Sequence, residues 1–239
     1  MADSKENKEE QILIDKTVFP TGLRSDEIRF FWSKALKEKA LFSARTTSKE
    51  YLDKVKELLV DYERGISQTP DGQPISQGIE RVRTIMAEKL NELGLIERDE
   101  NGNTVEGKMT NLGSTMRLNL IVKTNTALAH SMRQKMAAQD PLQRVLRPCF
   151  ELYRGERRKT ERNWWDRWLT ASAKVGGQGV VQGTTRMIAL TTSPIWAELG
   201  NGFPDSIGTD APPFWWNSGA RWKTVTRKEL LDAGLEIPE

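Results

Sequence analysis

The sequence predicts an α+β protein: a mainly helical N-terminal half, then a small α+β unit with long loops rich in Trp, Pro and Gly. Three observations carry this. Apolar residues recur at helical spacing in several segments before residue 140. After Pro141 the pattern turns to short apolar runs punctuated by glycine and proline. Seven of the eight tryptophans lie after residue 163, three of them among prolines and glycines. Three parts are therefore expected: a flexible charged arm at 1–20, a helical region at 21–140 and the α+β unit at 141–239.

Residues 1–10 are charged and low in complexity, the composition of a disordered arm. A helix is expected from Ser25 through Phe30, Phe31, Ala35 and Leu36 to about Phe42. Thr47 and Glu50 have the spacing of a capping box. Leu52, Val55, Leu58, Leu59 and Tyr62 follow at helical intervals, and Gly65 supplies a stop. Residues 66–75 hold Pro70, Asp71-Gly72 and Pro74 and read as loop. A third helix places Ile79, Val82, Met86, Leu90 and Leu93 on one stripe before Gly94. Asn101-Gly102, between Glu97 and Lys108, is a tight-turn signal for a small hairpin. A long helix is expected from Asn111, carrying Met116, Leu120, Leu128, Met132 and Met136 and ending before Pro141.

In the second half, Val145 to Tyr153 reads as a strand broken by Pro148, hence an edge strand. Glu161 to Ala173 reads as a helix with Trp164 and Trp168 one turn apart. A glycine-rich turn at 176–179 leads to a strand at Met187 to Thr192. Thr226 with Glu229 forms a second capping box, opening a short helix that ends at Gly234.

Between these elements lie Thr192 to Leu199 and Ala211 to Gly219. A proline pair fixes φ and resists both helix and central strand, so the backbone here is expected to be an ordered loop. Rings on such a loop stabilise it only by plugging into the domain, where each buries roughly 150–250 Å². Trp196, Pro212, Pro213, Phe214, Trp215, Trp216, Asn217 and Gly219 therefore read as a structural latch, with at least one of Trp215 and Trp216 buried.

Composition narrows the chemistry. The chain is 37% hydrophobic and 29% charged, and its mean hydropathy of -0.58 suits a modest core, with extended helical parts or surface completed by partner subunits. The 36 basic and 33 acidic residues nearly cancel, whereas DNA-coating proteins carry a strong basic excess. One cysteine, Cys149, and one histidine, His130, exclude an internal disulfide and a zinc site of the usual Cys/His ligand count. Cys149 follows Pro148 in an apolar run and reads as a small buried side chain, and His130 as a surface or packing residue. No catalytic set converges in the sequence, so no enzymatic activity and no cofactor are expected. The first ten residues lack the apolar core of a signal peptide. No apolar run approaches the ~20 residues that cross a bilayer, so a soluble intracellular product without membrane contact is expected.

Three features admit a sharper reading beside the plain one. The loop Gly177 to Gly183 invites a nucleotide-binding reading, but its spacing misses the Rossmann fingerprint by one residue and it follows a helix rather than a strand. The segment Arg144 to Arg167 is rich in arginine, including Arg154, Arg157, Arg158 and Arg162. It is either a solvated face of local ion pairs, each worth roughly 0–1 kcal/mol, or a surface that meets DNA or an acidic partner. The interleaved Glu151, Glu156, Glu161 and Asp166 cancel much of the field and favour the first. Met132 and Met136, with Met116, form either a core stripe or an adaptable partner-binding face.

Several segments together resemble the tailed-phage minor head proteins, the head morphogenesis or Mu F-like family. They are Ala40-Leu41-Phe42-Ser43-Ala44-Arg45 with the helix after it, Arg117 to Ala127, and Ser193-Pro194-Ile195-Trp196 with Pro212-Pro213-Phe214 and Asn217-Ser218-Gly219. They occur in the family's order over residues 30 to 235. The resemblance implies a structural, few-copy head component that associates with the portal protein during assembly, with major capsid or scaffold protein as further partners, and stays in or near the virion interior. Many relatives carry cysteine and histidine in the C-terminal unit, where this chain has tryptophan and arginine, so a metal or hydrolytic role is not carried over. The alternative is a nucleic-acid-binding protein touching packaged DNA through residues 144–167. Protein purified without added metal is expected to show no stoichiometric zinc by elemental analysis and no tight nucleotide binding. About one equivalent of zinc would overturn the composition argument.

Overall fold

The computed structural model describes residues 8–64, 78–155 and 163–238. The fold is α+β. The chain divides into two units, Met1–Ala129 and His130–Glu239, a boundary eleven residues before the Pro141 transition read from the sequence. The loop reading at 66–75, the Gly65 stop and the first seven residues of the arm lie outside the described residues.

In the first unit the elements are α1 (Lys8–Ile14), β1 (Thr17–Val18), α2 (Ser25–Phe31), α3 (Lys34–Lys39), β2 (Ala40–Leu41), α4 (Lys49–Arg64), α5 (Ile79–Glu92) and the start of α6 (Thr115–Ala137). The stripes of α4 and α5 behave as their spacing predicts. Leu52, Val55, Leu58 and Leu59 meet Val82, Met86 and Leu90 in one fully buried core. Helix α5 ends as a Schellman motif: Gly94 takes φ +67° while Leu95 N–H returns to the Leu90 carbonyl at 2.9 Å.

The structure corrects the reading at four points in this unit. Residues 8–20 are not a free arm. Leu13 of α1 is fully buried in the core, and β1 pairs in parallel with β2, Thr17 opposite Ala40. The helix expected from Ser25 to Phe42 is two helices, because the Ser33 hydroxyl accepts from Leu36 N–H and starts α3 afresh. The cap of α4 is Ser48, one residue after Thr47, accepting from Tyr51 N–H at 3.2 Å. Helix α6 starts at Thr115 rather than Asn111. The buried Asn111 amide is already used: it accepts from Glu97 N–H and donates to the Glu97 and Val105 carbonyls. That amide holds the expected turn, in which Gly102 takes φ +80° and Arg98 bridges Thr104 antiparallel.

Two lysines fasten the N-terminal segment. Lys56 Nζ donates to the carbonyls of Ile14 and Lys16 at 2.6 and 2.7 Å. Lys16 Nζ, buried, donates to those of Glu38 and Ala40 at 3.0 and 3.3 Å. Burial lowers the pKa of Lys16 to about 8, against the opposing pull of the Glu38 carboxylate.

The second unit begins with the last residues of α6 and continues with α7 (Pro141–Leu146), β3 (Cys149–Arg154), α8 (Trp164–Lys174), β4 (Met187–Leu190), α9 (Ile195–Asn201), β5 (Ala220–Val225) and α10 (Arg227–Asp232). The strands form an antiparallel sheet in the order β4-β3-β5. Strand β3 is therefore central and not an edge. Pro148 precedes it and costs the ladder no donor, while residues 141–146 are helical with Asp140 as N-cap and Pro141 in the first turn. The Thr226–Glu229 capping box is present, and Gly234 with Leu235 closes α10 in a second Schellman motif. On one sheet face Cys149, Ile188 and Val225 pack with Leu230 of α10; the aromatic rings occupy the other.

Lys16 generates a pH dependence. Its folded pKa, about 8, lies below the ordinary 10.5, so between those values the unfolded chain holds a proton that the folded chain has released. Stability must then rise with pH through that window, and the group gives no slope below it. Denaturation of the parent and Lys16→Met at pH 7.5 and 9.5 is expected to move the stability difference by about 2 kcal/mol in the parent's favour at the higher pH. An unchanged difference would contradict the burial of the ammonium.

Candidate functional site

The second unit is organised by rings. On α8, whose N-cap Asn163 accepts from Asp166 N–H, Trp164 and Trp168 lie one turn apart and are both buried. Phe150 of β3 and Trp222 of β5 share a sheet face and stack at 4.2 Å with 17° between planes. Trp196 of α9 sits against four of these rings. It meets Trp222 edge-on at 5.4 Å, Trp168 at 5.6 Å, Phe214 in parallel at 6.1 Å and Phe150 edge-on at 6.2 Å. Its indole N–H donates to the Leu190 carbonyl at 2.7 Å, which fixes its orientation on the sheet.

The latch reading meets these rings directly. Pro212, Pro213, Phe214 and Trp215 are buried, the last two completely, and the Pro212–Pro213 peptide is cis. Trp216 is half-buried. Asn217 is exposed, and it and Gly219 take φ +51° and +66°, turning the chain into β5. The segment is tied down by backbone bonds: Ile207 N–H to the Phe214 carbonyl at 2.9 Å and Gly208 N–H to that of Gly200 at 2.8 Å. A Cβ at Gly200 would lie 1.5 Å from the Thr209 carbonyl oxygen, so only glycine lets the loop cross α9 there. Residues 195–199, read as part of the loop, belong instead to a helix, Ile195–Asn201, opened by Pro194.

The described arginines of the arginine-rich segment are dispersed by the fold. Arg167 lies inside the latch, not on a solvated face. Its guanidinium grips the Asp205 carboxylate at 2.8 and 3.3 Å and lies over the rings of Trp215 at 4.7 Å and Phe203 at 5.0 Å. Arg154 lies over Trp164 at 4.6 Å. Arg157, Arg158 and Arg162 lie outside the described residues. Glu151 takes hydrogen bonds from Arg186 and Lys223; burial pushes its carboxyl up, but those bonds outweigh it and hold the carboxyl below its usual range.

The methionine reading divides. Met132 is half-buried, whereas Met136 and Met116 are 58% and 46% exposed. The buried side of α6 in the first unit is instead Leu118, Ile121, Val122 and Ala129. In that unit the most exposed rings are Phe30 and Phe31, at 79% and 75%, because Ile28 and Trp32 take the inward positions. Buried Arg117 bridges two segments distant in sequence. Its guanidinium donates to Ser43 Oγ at 2.6 Å, to the Ala44 carbonyl and to the Met109 carbonyl.

The remaining sequence candidates behave as structure. Burial pushes the Cys149 thiol up to about 12, so it is a neutral thiol at pH 7. Val180 and Val181, in the glycine-rich loop, are buried, and Val181 N–H reaches the Ile188 carbonyl at 3.0 Å. Among the described residues no group of three or more His, Cys, Asp or Glu side chains could hold a metal ion, and no helix is long and apolar enough to cross a membrane. No family model, no curated protein and no solved structure matches this chain.

Trp215→Ala is expected to lower the unfolding free energy of the C-terminal unit by about 3–5 kcal/mol, the range for a large buried ring. Trp216→Ala should cost far less. Gly200→Ala, which sets a methyl against backbone, should cost at least about 1–3 kcal/mol. Denaturant unfolding followed by near-UV circular dichroism measures all three; parent-like midpoints for Trp215→Ala would remove the latch from the account.

Proposed function

We propose that the chain is a non-enzymatic structural protein of a tailed-phage head, docking on the portal through its helical unit and retained inside the virion. The carrying observation is the adjacent exposure of Phe30 and Phe31 beside the Trp32–Phe42 cluster. A helical unit that buries most of its α4 and α5 stripes but leaves two neighbouring rings in water has an apolar surface to give to another subunit. The resemblance in the ordered segments names the portal as that subunit. Arg117, which begins the second of those segments, holds Ser43 and Ala44 of the first, an arrangement that suits a structural joint more than a catalytic one.

Contact with packaged DNA draws less support. Arg154 and Arg167 stack on rings, and Arg167 is also neutralised by Asp205.

Co-expression with the portal protein of the same phage, followed by size-exclusion chromatography, tests the reading. A complex is expected to persist at 1 M salt, where the Debye length is about 3 Å and surface ion pairs are screened. Phe30→Ser with Phe31→Ser should abolish it while leaving the circular dichroism spectrum unchanged. Polar replacement of Met132 and Met136 weakens it only where that face of α6 also takes part. Protein that ignores the portal but is retained on DNA at low salt would overturn the proposal in favour of nucleic-acid binding.

A further inference from the structure

The second unit carries a cavity of about 340 Å³, within the range of small-ligand sites of roughly 300–1,000 Å³. One wall is the end of α6 and the turn after it, with Lys135 and Gln139; Arg144 of α7 stands beside it. The other is the connection from β4 into α9, with Thr191, Thr192 and Pro194. Trp196 and Trp222 supply its aromatic lining.

The charges are unequal in what they leave available. Lys135 and Asp210, both lining the cavity, neutralise each other at 2.5 Å. Arg144 is exposed, and its Nε is held by the Ala138 carbonyl at 3.2 Å, which orients the guanidinium and leaves its two terminal nitrogens for a ligand. The Ser193 hydroxyl is committed to the Gln178 carbonyl, and the Trp196 N–H to that of Leu190. Besides the buried Trp222 N–H, the uncommitted polar groups of the lining are thus one guanidinium, the neutral Gln139 amide and the hydroxyls of Thr191 and Thr192, set against a wall of proline and indole.

We propose that this cavity binds a carboxylate carried on an apolar body, the chemistry shared by the C-terminal residue of a polypeptide and a small aromatic acid. One net cation matches one carboxylate. A doubly charged phosphate would face a single free cation with Asp210 nearby, and a ligand cation would compete with Lys135 for its carboxylate. The apolar body lies on Pro194, Trp196 and Trp222. The site belongs to the C-terminal unit alone and holds whatever the helical unit docks on.

The test is titration of the full chain, labelled with ¹⁵N at tryptophan, with the indole signals of Trp196 and Trp222 assigned through Trp→Phe variants. Three probes are used: 3-phenylpropionate, a short acetylated peptide ending in leucine with a free carboxylate, and the same peptide as its C-terminal amide. The acids are expected to shift the Trp196 and Trp222 signals saturably, and the amide to bind about tenfold more weakly or worse, the loss of one charged hydrogen-bond pair. Arg144→Gln, on an exposed side chain, should weaken the acids about tenfold or more while leaving the other tryptophan signals in place. Thr192→Val should weaken them by a smaller factor. Binding of the peptide acid alone assigns a polypeptide terminus, and binding of both acids assigns the small acid as sufficient. Acids that shift nothing to their solubility limit, or that bind Arg144→Gln and the parent alike, would overturn the proposal.

Discussion

The C-terminal unit depends on the seating of one indole. Trp196 is held by a single hydrogen bond to the end of β4 and touches rings contributed by the sheet, by α8 and by the loop before β5. A three-stranded sheet of four to six residues per strand has little apolar surface of its own, so its independent stability requires something large packed on one face. Here that is an aromatic layer rather than a second sheet. The layer leaves the indole N–H groups of Trp164, Trp215 and Trp222 buried without an acceptor among the described residues. An unsatisfied buried donor costs about 1–3 kcal/mol, while removing 150–250 Å² of ring from water contributes about 4–6 kcal/mol at 25 cal/mol per Å². Burial wins for each ring, which is why the arrangement tolerates donors that a core of smaller side chains would not.

The same layer dictates where the backbone must be permissive. The loop from Gly202 to Gly219 delivers Phe214 to Trp196 and Trp215 to Trp164 by passing over α9, and the passage is at Gly200, with no room for a methyl group. Arg167 then closes the layer from the α8 side, its flat guanidinium lying over two rings with its charge matched by Asp205.

What was legible in the sequence was what is local. The stripes of α4 and α5, the Thr226–Glu229 box and the turn at Gly102 each depend on contacts within a few residues, and each formed as its spacing required. The buried rings of the latch were legible for a different reason, that proline excludes the regular alternatives. The break at Ser33 and the shift of the α4 cap to Ser48 are local choices between neighbouring cap residues, but the other failures come from partners far away in the chain. Charged composition concealed α1 because the groups that hold its end, Lys56 with the Ile14 and Lys16 carbonyls, are about forty residues apart. Pro148 pointed to an edge strand, but β3 finds its two neighbours from residue 187 onward. On α6 apolar side chains occur on several sides, and the buried side includes Asn125, which returns its amide to the Ile121 carbonyl and so carries no polar signature against burial. The arginine of the candidate site was visible, but Asp205 and Phe203, which decide its role, lie 36 to 38 positions later.

The arginine-rich segment illustrates how a run of charge differs from a charged surface. Potential adds only where side chains point the same way, and the described residues between 144 and 167 belong to a helix, a central strand and the start of a second helix. Three of the four described arginines accordingly go to separate tasks: Arg144 to the Ala138 carbonyl, Arg154 to the face of Trp164, Arg167 to Asp205 and two rings. The acidic residues are dispersed in the same way, Glu151 into the sheet between Arg186 and Lys223, and Asp166 to the first turn of α8. A cation over a ring keeps its charge but is oriented by the ring and lies partly out of water, so its field is spent on the fold before any polyanion arrives. Arg144, at the margin of the aromatic layer, keeps its two terminal nitrogens uncommitted while being held in direction, and that combination is what makes an ordinary surface arginine fit to be the recognition element proposed for the cavity.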